Sequence, residues 1–232
     1  MSDLISVIAA MAETAAITPP EHTVLRPKKP VITISRDYGA GGDVIATRLA
    51  QRLGVPVYDE ELLKEVAERL HDDPAIVQML DESVGRAKDM WLYRLFSGKD
   101  VGQDAYRDTL VKVVLSLGRL GGVIIGRGAH LILADGCALR VRIAGSPEIC
   151  ARRMAAQGHG TYDHELAKAK ELNHRRGQFV WDVFHSRLSD ASHFDITVNT
   201  DRMNDFEDVV EMLVGMGTAI HAGRVLGLKG SV

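Results

Sequence analysis

Glycines concentrate in one stretch near the start of the chain, where residues 31–46 read VITISRDYGAGGDVIA. An apolar run over residues 31–34 leads into Gly39-Ala40-Gly41-Gly42, and a helical pattern of apolar residues follows. A strand, a glycine turn and a helix in this order direct backbone N–H groups and a helix N-terminus at a phosphate. We therefore predict a phosphate-binding loop made of Gly39, Ala40, Gly41, Gly42, Asp43 and Val44.

This stretch departs from the usual signature of such loops, G-x-x-x-x-G-K-[ST]. With Gly41 in the second glycine position, Arg36 takes the first, Gly42 the lysine position and Asp43 the hydroxyl position. The loop therefore lacks the lysine charge and the hydroxyl that holds Mg²⁺. Two roles remain open for Asp43: it holds Mg²⁺ directly, or it caps the helix that follows.

Two arginines at predicted strand ends can supply the positive charge that the loop lacks. Arg36 stands between the first strand and the loop, and its planar guanidinium suits phosphate oxygens. The alternative is that Arg36 pairs with Asp37, Asp43 or Asp59 and holds the loop shut. Arg127 lies in a Gly-Arg-Gly turn after a later strand, and open α/β sheets bind ligands at the carboxyl ends of their strands. A structural salt bridge is the alternative for Arg127.

The composition limits the classes of function. The chain has 232 residues, a net charge of −3 and a pI of about 6.3, which gives no electrostatic reason to expect binding to nucleic acid or membranes. No apolar run approaches the roughly 18 residues of a membrane span, and no basic segment marks a signal peptide. Cys137 and Cys150 have no metal-type spacing and are typical of buried thiols in a reducing compartment. We therefore expect a cytoplasmic protein.

Apolar runs and helical periods alternate along the chain, which predicts a parallel sheet covered by helices on both faces. Residues 1–30 read as an extension, either a helix packed on the body or on a second subunit, or a frayed tail. The main domain is predicted over residues 31–217 and a tail over 218–232. The predicted strands are 31–34, 55–59, 122–125, 139–143 and 194–198. The predicted helices are 43–53, 60–70, 72–94, 106–120, 148–156, 164–179 and 205–216, with a mobile loop at 97–104.

Three stretches together resemble the cytidylate kinases, and in particular their divergent cytidylate kinase-like branch. The first is ITISRDYGAGGDVIA followed by LGVPVYDEELL, the second is VIIGRGAHLILADGCALRVRIAGSPEICARRMA, and the third is FDITVNTDRMNDFEDVVEML. The resemblance covers about residues 31–217. It implies a three-layer P-loop fold of the nucleoside-triphosphate-hydrolase type, with a five-stranded parallel sheet, a helical monophosphate-binding insert and a mobile lid that carries arginines.

The resemblance also implies a reaction, ATP with CMP or dCMP giving ADP with CDP or dCDP, assisted by Mg²⁺. In that family the arginine at the position of Arg127 meets the monophosphate. One arginine of the pair Arg152-Arg153 is expected to be functional, and we select Arg153. Arg175, Arg176 and Arg187 fall where lid arginines clamp the transferring phosphate, although a charged helical face explains them equally well.

Three further residues are candidates for binding the acceptor of the phosphoryl group, CMP or dCMP. Asp59 and Arg107 lie in the region where the monophosphate would bind, and Tyr38 either covers a base or ribose or packs locally. His130 follows the Gly-Arg turn and is interpreted as packing or solvent-facing. The implied partner is a nucleoside monophosphate, CMP or dCMP, with no nucleic acid and no membrane, and a homodimer is left open.

Three hypotheses follow from the sequence. The first is an enzyme in which Arg36 and the lid arginines compensate for the missing lysine. The second is a regulatory protein that binds a nucleotide and transfers nothing, because three of the four signature positions are changed. The third is a structural protein that docks a partner through residues 1–30.

Overall fold

Five strands form one sheet in which every neighbouring pair is parallel, in the order β2-β3-β1-β4-β5. The structure, a computed structural model, describes residues 4–15, 27–71, 105–134 and 138–224. The strands are β1 (Val31–Arg36), β2 (Val57–Tyr58), β3 (Gly122–Ile125), β4 (Ala138–Ala144) and β5 (Ile196–Asn199). The predicted parallel sheet is confirmed.

The central strand β1 is buried along its whole length, because β3 and β4 flank it and helices cover both of its faces. The register pairs Ile34 with Ile125 of β3 and Arg36 with Ile143 of β4. The carboxyl ends of these three strands therefore meet at one edge of the sheet. The glycine loop and the Gly-Arg-Gly turn leave the sheet side by side at that edge.

Helices cover the sheet in two layers and give it two apolar cores. One core includes residues of α1, α3, α4, α5 and α7, and the other includes residues of α2, α6 and α8. The helices are α1 (Leu4–Ala15), α2 (Gly42–Leu53), α3 (Glu60–His71), α4 (Ala105–Leu120), α5 (Ala129–Ile132), α6 (Pro147–Ala156), α7 (Tyr162–Phe184) and α8 (Glu207–His221). This arrangement is the predicted three-layer α/β fold.

Two strands differ from their predicted limits for identifiable reasons. The second strand was predicted over 55–59 and is shorter, because the Val55 amide donates to the Ala50 carbonyl at the end of α2 and Asp59 caps α3. The last strand was predicted over 194–198 and begins at Ile196. Before it, Asp195 is held by Arg140 through both its backbone amide and its carboxylate.

Helices α7 and α8 are also longer than predicted. Helix α7 continues from the predicted end at 179 to Phe184, because Val180, Val183 and Phe184 are buried. Helix α8 runs past residue 217, where a tail was predicted, and buries Ile220. The one-turn helix α5 was not predicted, since four residues are too few to show a helical period.

Helix α1 packs on the body of the protein, one of the alternatives left open for residues 1–30. Val7 and Met11 are buried in the core that includes α3 and α4. Cys150 is buried as predicted, and burial raises the pKa of its thiol to about 11. The predicted helix over 72–94, the mobile loop at 97–104 and Cys137 lie outside the described residues.

Candidate active site

The glycine loop runs directly into the N-terminus of α2. Gly39 and Gly41 have left-handed backbones, with φ values of 72° and 84°. Gly41 is the N-cap of α2, and no side chain caps the helix. Within the described residues, the backbone amides of Gly41, Gly42 and Asp43 have no hydrogen-bond acceptor. Unpaired amides at a helix N-terminus, next to a left-handed turn, are suited to phosphate oxygens.

The loop needs its glycines because protein atoms fill the space where side chains would stand. A Cβ at Gly41 would lie 2.2 Å from the ring of Phe206, and one at Gly42 would lie 2.5 Å from Cβ of Arg36. A Cβ at Gly39 would lie 2.9 Å from the carbonyl oxygen of Cys150. Packing of the loop on the body is therefore sufficient to require glycine at these three positions.

Asp43 does not cap α2, which corrects one of the two roles predicted for it. It is the second residue of the helix rather than its cap, and its side chain is 69% exposed. Its Oδ1 accepts a hydrogen bond from Nε of Arg36 at 3.1 Å. A carboxylate in the first turn is still favourable to the helix dipole, so its position does not destabilise α2.

The other role, Mg²⁺ ligand, is compatible with the position of Asp43. Mg²⁺ is commonly held by one or two carboxylates together with substrate phosphates and water. The part of the chain that the structure describes has no cluster of three or more His, Cys, Asp or Glu side chains that could hold a metal by itself. An exposed carboxylate beside the phosphate loop suits a metal that is shared with a nucleotide.

Arg36 is buried between the loop and α3, with 9% of its side chain exposed. Besides its contact with Asp43, its Nη1 lies 3.3 Å from Oε2 of Glu60. The predicted alternative partners Asp37 and Asp59 are not used, because Asp37 pairs with Arg142 at 2.6 Å and Asp59 caps α3. Arg36 thus lies at the loop, as predicted, and is also paired.

Arg127 lies in a strained turn. Gly126, Arg127 and Gly128 all have left-handed backbones, with φ values of 76°, 49° and 70°. A left-handed arginine is uncommon and persists only where its surroundings hold it. Its guanidinium lies 4.9 Å from the centre of the Phe179 ring, and its Nη2 lies 3.3 Å from Oε1 of Glu60. Strain at a strand end of this kind is typical of functional sites.

These residues line a cleft of about 260 Å³ at the carboxyl ends of β1 and β3. Its positive charge comes from Arg36, Arg127, Arg175 and Arg176, and Glu60 is the one carboxylate among the described residues that line it. The rest of the wall comprises Ser35, Gly126, Gly128, His130, Leu172, Phe179, Val180 and Leu188. Four arginines against one carboxylate make the cleft attractive to an anion.

Arg176 reaches this cleft from α7. Its Nη1 donates to the carbonyl oxygen of Arg36 at 3.2 Å. Burial and then the nearby charge of Arg36 lower the pKa of its guanidinium from the usual value. An anion placed between Arg36 and Arg176 would relieve their repulsion. Arg175, its neighbour, is 69% exposed and lies 3.8 Å from Glu171.

Arg153 and Arg187 do not line this cleft. Arg153 supports the loop, donating to the carbonyl oxygens of Gly39 at 2.7 Å, Thr200 at 2.8 Å and Met203 at 3.2 Å. Arg187 is exposed and lines a separate groove. The catalytic role predicted for these two arginines stays a prediction.

The three residues predicted to contact the acceptor are also absent from the lining. The Tyr38 hydroxyl donates to Oε2 of Glu165 at 2.7 Å and its amide donates to Asn173, so Tyr38 ties the loop to α7. Asp59 caps α3 by accepting from the Leu62 amide at 2.8 Å. Arg107 is buried in α4. Their substrate contacts stay predictions, and local packing is the role observed for Tyr38.

Glu60, Ser35 and His130 are cleft residues that the sequence did not single out as site residues. His130 is buried with 1% exposure, so packing rather than solvent contact is its observed state. Its Nδ1 lies 3.1 Å from Oγ of Ser35, and its ring stacks on Phe194 at 4.5 Å. No spacing pattern marks Glu60, which follows Asp59 directly. The position at a strand end was the only available signal for Ser35.

Acid is expected to destabilise the protein through His130. Burial, followed by the charges of His193, Arg142 and Arg140, lowers its pKa to about 3. Between these two pKa values an unfolded histidine, with a pKa of about 6.5, binds a proton and the folded His130 does not. The free energy of unfolding therefore falls by up to about 1.4 kcal/mol per pH unit as the pH drops from about 6.5 toward 3. Denaturant titrations should show this slope, and His130→Gln should reduce it. An NMR midpoint near 6.5 for the His130 ring would contradict the prediction.

Solved structures of other proteins share the fold of this chain. Among solved structures, the chain is similar to an uncharacterized protein from Eubacterium ventriosum, with 21% identity, a TM-score of 0.61 and coverage of 83% of this chain and 99% of that chain. It is also similar to shikimate kinase from Bacteroides thetaiotaomicron, with 18% identity, a TM-score of 0.42 and coverage of 80% and 94%. Shikimate kinase from Acinetobacter baumannii, in complex with shikimate, is similar with 13% identity and a TM-score of 0.43, and the match covers 86% of this chain and 97% of that chain. The first of these likenesses supports the fold.

The sequence comparisons address the family. No curated protein matches the chain significantly. None of the helices in the described parts of the chain has the length and apolar character needed to cross a membrane. The model of the cytidylate kinase-like family matches residues 31–202, which include the glycine loop, the Gly-Arg-Gly turn and the predicted lid arginines Arg175, Arg176 and Arg187. The chain belongs to the cytidylate kinase-like family.

Proposed function

We propose that the protein is a nucleoside monophosphate kinase-like phosphotransferase that converts ATP and CMP or dCMP into ADP and CDP or dCDP. The observation that carries this proposal is the position of Arg36, Arg127 and Arg176 in one cleft beside the unpaired amides of Gly41, Gly42 and Asp43. Family membership supports the kinase-like class of activity. The choice of CMP or dCMP rests on the resemblance to cytidylate kinases.

Phosphoryl transfer needs positioning and positive charge rather than covalent chemistry from the protein. In this proposal the amides from Gly41 to Val44 hold the phosphates of ATP at the N-terminus of α2. Arg127 binds the phosphate of the acceptor, and Arg176 stabilises the charge that develops between the two. Arg36 lies between loop and cleft and takes the place of the missing lysine.

The remaining predicted residues complete this scheme. Asp43 would hold Mg²⁺ together with the phosphates, and the ion would neutralise charge on the transferred group. Arg153 keeps the loop in shape through the Gly39 carbonyl. Arg187 would have to move from its exposed position to act as a lid arginine, and Tyr38, Asp59 and Arg107 would contact the acceptor only after a comparable rearrangement.

One observation favours a second candidate, a regulatory protein that binds a nucleotide without transferring phosphate. Arg36 is already paired with two carboxylates, Asp43 and Glu60. Asp43 also places a negative charge in the first turn of α2, next to the loop amides that would bind the phosphates of ATP. In this reading the arginines of the cleft bind a phosphate-bearing ligand, and the loop never positions a triphosphate for transfer.

The two candidates are separated by measuring ADP release and binding on the same sample. The purified protein is supplied with ATP, Mg²⁺ and, in turn, CMP, dCMP, UMP or AMP, while calorimetry measures the binding of each nucleotide alone. Turnover that is fastest with CMP or dCMP supports the kinase. Binding without turnover selects the regulatory protein. Arg127→Ala should weaken CMP binding at least about tenfold, whereas Arg152→Ala, which removes an exposed arginine from α6, should not.

A further inference from the structure

Glu60 is a carboxylate in a cleft that otherwise suits anions, and the proposed reaction gives it no task. One of its oxygens, Oε2, lies 3.3 Å from Nη1 of Arg36. The other, Oε1, lies 3.3 Å from Nη2 of Arg127. A single carboxylate therefore bridges two arginines that come from the ends of two neighbouring strands.

This bridge has the geometry expected of a bound phosphate. Two oxygens of one anion each face a separate guanidinium, as phosphate oxygens do in arginine-rich sites. Both contacts, at 3.3 Å, are longer than the about 2.7–2.9 Å that is usual for charge-assisted hydrogen bonds of this kind, which indicates weak pairing. The Glu60 side chain is also 34% exposed, so water reaches it and another anion can replace it.

We infer that Glu60 occupies the position of the acceptor phosphate in the ligand-free protein, and that a phosphate must displace its carboxylate to bind Arg36 and Arg127. The inference rests on the proposed function and adds to it a residue that competes with the acceptor phosphate for the two arginines. A phosphate dianion brings more charge to the two arginines than the carboxylate that it replaces. A nucleoside without phosphate has no charge to exchange for the carboxylate, so Glu60 lowers the affinity for phosphate-bearing acceptors and leaves the affinity for free nucleosides unchanged.

The side chain of Glu60 is not required to build α3. The helix is capped by Asp59, whose Oδ1 accepts from the Leu62 amide at 2.8 Å. Glu61 follows in the same first turn, is exposed, and also places a negative charge near the helix N-terminus. Glu60→Gln should therefore leave the fold intact, and Glu61→Gln is a matched control that removes the same charge one residue away.

The experiment measures binding of CMP, inorganic phosphate and cytidine to the wild type, Glu60→Gln and Glu61→Gln by calorimetry. Glu60→Gln should bind CMP and phosphate about threefold to tenfold more tightly, the size expected when two partly exposed ion pairs no longer compete. Its affinity for cytidine should not change, and Glu61→Gln should behave as the wild type. In turnover, the KM for CMP should fall without a rise in kcat.

The outcomes distinguish this inference from the proposed function. If the wild type binds CMP and Glu60→Gln binds it equally or more weakly, Glu60 positions the arginines and our inference is wrong, while the kinase proposal stands. An equal gain in Glu61→Gln would also overturn it, because the effect would then be one of overall charge. If neither protein binds CMP or phosphate, both proposals fail. Glu60→Ala and a thermal melt of each variant guard against a result caused by misfolding.

Discussion

Replacing Arg36 by methionine is expected to lower turnover at least about a hundredfold, the usual loss when one preorganised group that stabilises the transferring charge is removed. Methionine keeps much of the buried stem of Arg36, which is 9% exposed, and removes the guanidinium with its charge and its contacts to Asp43 and Glu60. The loop has Gly42 where related phosphate loops have lysine, and the side chain of Arg36 packs directly against Gly42. Steady-state ADP release with CMP measures the effect.

Two further variants test whether the loss of turnover comes from the missing positive charge at Arg36. Arg36→Lys should recover part of the activity, because an ammonium restores the charge but not the planar fork that contacts Asp43 and Glu60. Arg48→Met is the matched control, since Arg48 lies on α2 and pairs with Glu207 at the surface. Unchanged turnover in Arg36→Met would contradict the hypothesis that this arginine compensates for the missing loop lysine.

The arrangement of the strands and the place of the cleft follow from sequence patterns. Apolar runs without polar alternation require a sheet covered on both faces, and parallel strands bring Arg36 and Arg127 to one edge. Glycine-rich turns at the ends of β1 and β3 then indicate where a ligand is expected to bind. These inferences depend only on the local order of residues, which a sequence displays directly.

The partners of the charged side chains do not follow from the sequence. Asp43 and Glu60 both reach Arg36, although they are 7 and 24 residues from it along the chain. Which carboxylate meets which arginine depends on the angle between α3 and the loop, and that angle is set by packing. For the same reason Asp59, beside Glu60 in sequence, caps a helix instead of entering the cleft.

For Arg153, a sequence motif marks the residue but does not reveal its contacts. The match to an Arg-Arg-Met helix predicts that one arginine of the pair faces solvent, and Arg152 is exposed whereas Arg153 is not. The motif cannot show which groups its guanidinium meets. Three backbone carbonyls, from Gly39, Thr200 and Met203, take its hydrogen bonds. Arg153 therefore joins the loop to the chain that follows β5, and we expect it to act on a phosphate only through the shape of the loop.

The loop glycines lead to the second large prediction, which concerns stability. Gly41→Ala is expected to lower the free energy of unfolding by about 2 to 5 kcal/mol without any nucleotide present. Part of this is the cost of a left-handed backbone for alanine at φ 84°. The rest is overlap with the Phe206 ring, whose nearest atom would lie 2.2 Å from the new Cβ. Denaturant unfolding of the ligand-free protein measures the sum.

Gly158→Ala separates the two causes, because Gly158 has a nearly equal φ of 81° and nothing lies within 4 Å of its Cβ position. It should cost only the backbone strain, about 1–2 kcal/mol. Phe206→Ala should remove most of the excess cost of Gly41→Ala when the two changes are combined, a coupling that a double-mutant cycle measures. If Gly41→Ala instead folds as stably as Gly158→Ala and loses only nucleotide affinity, the glycine is present for the close approach of a phosphate. The packing on Phe206 would then not be the reason for it.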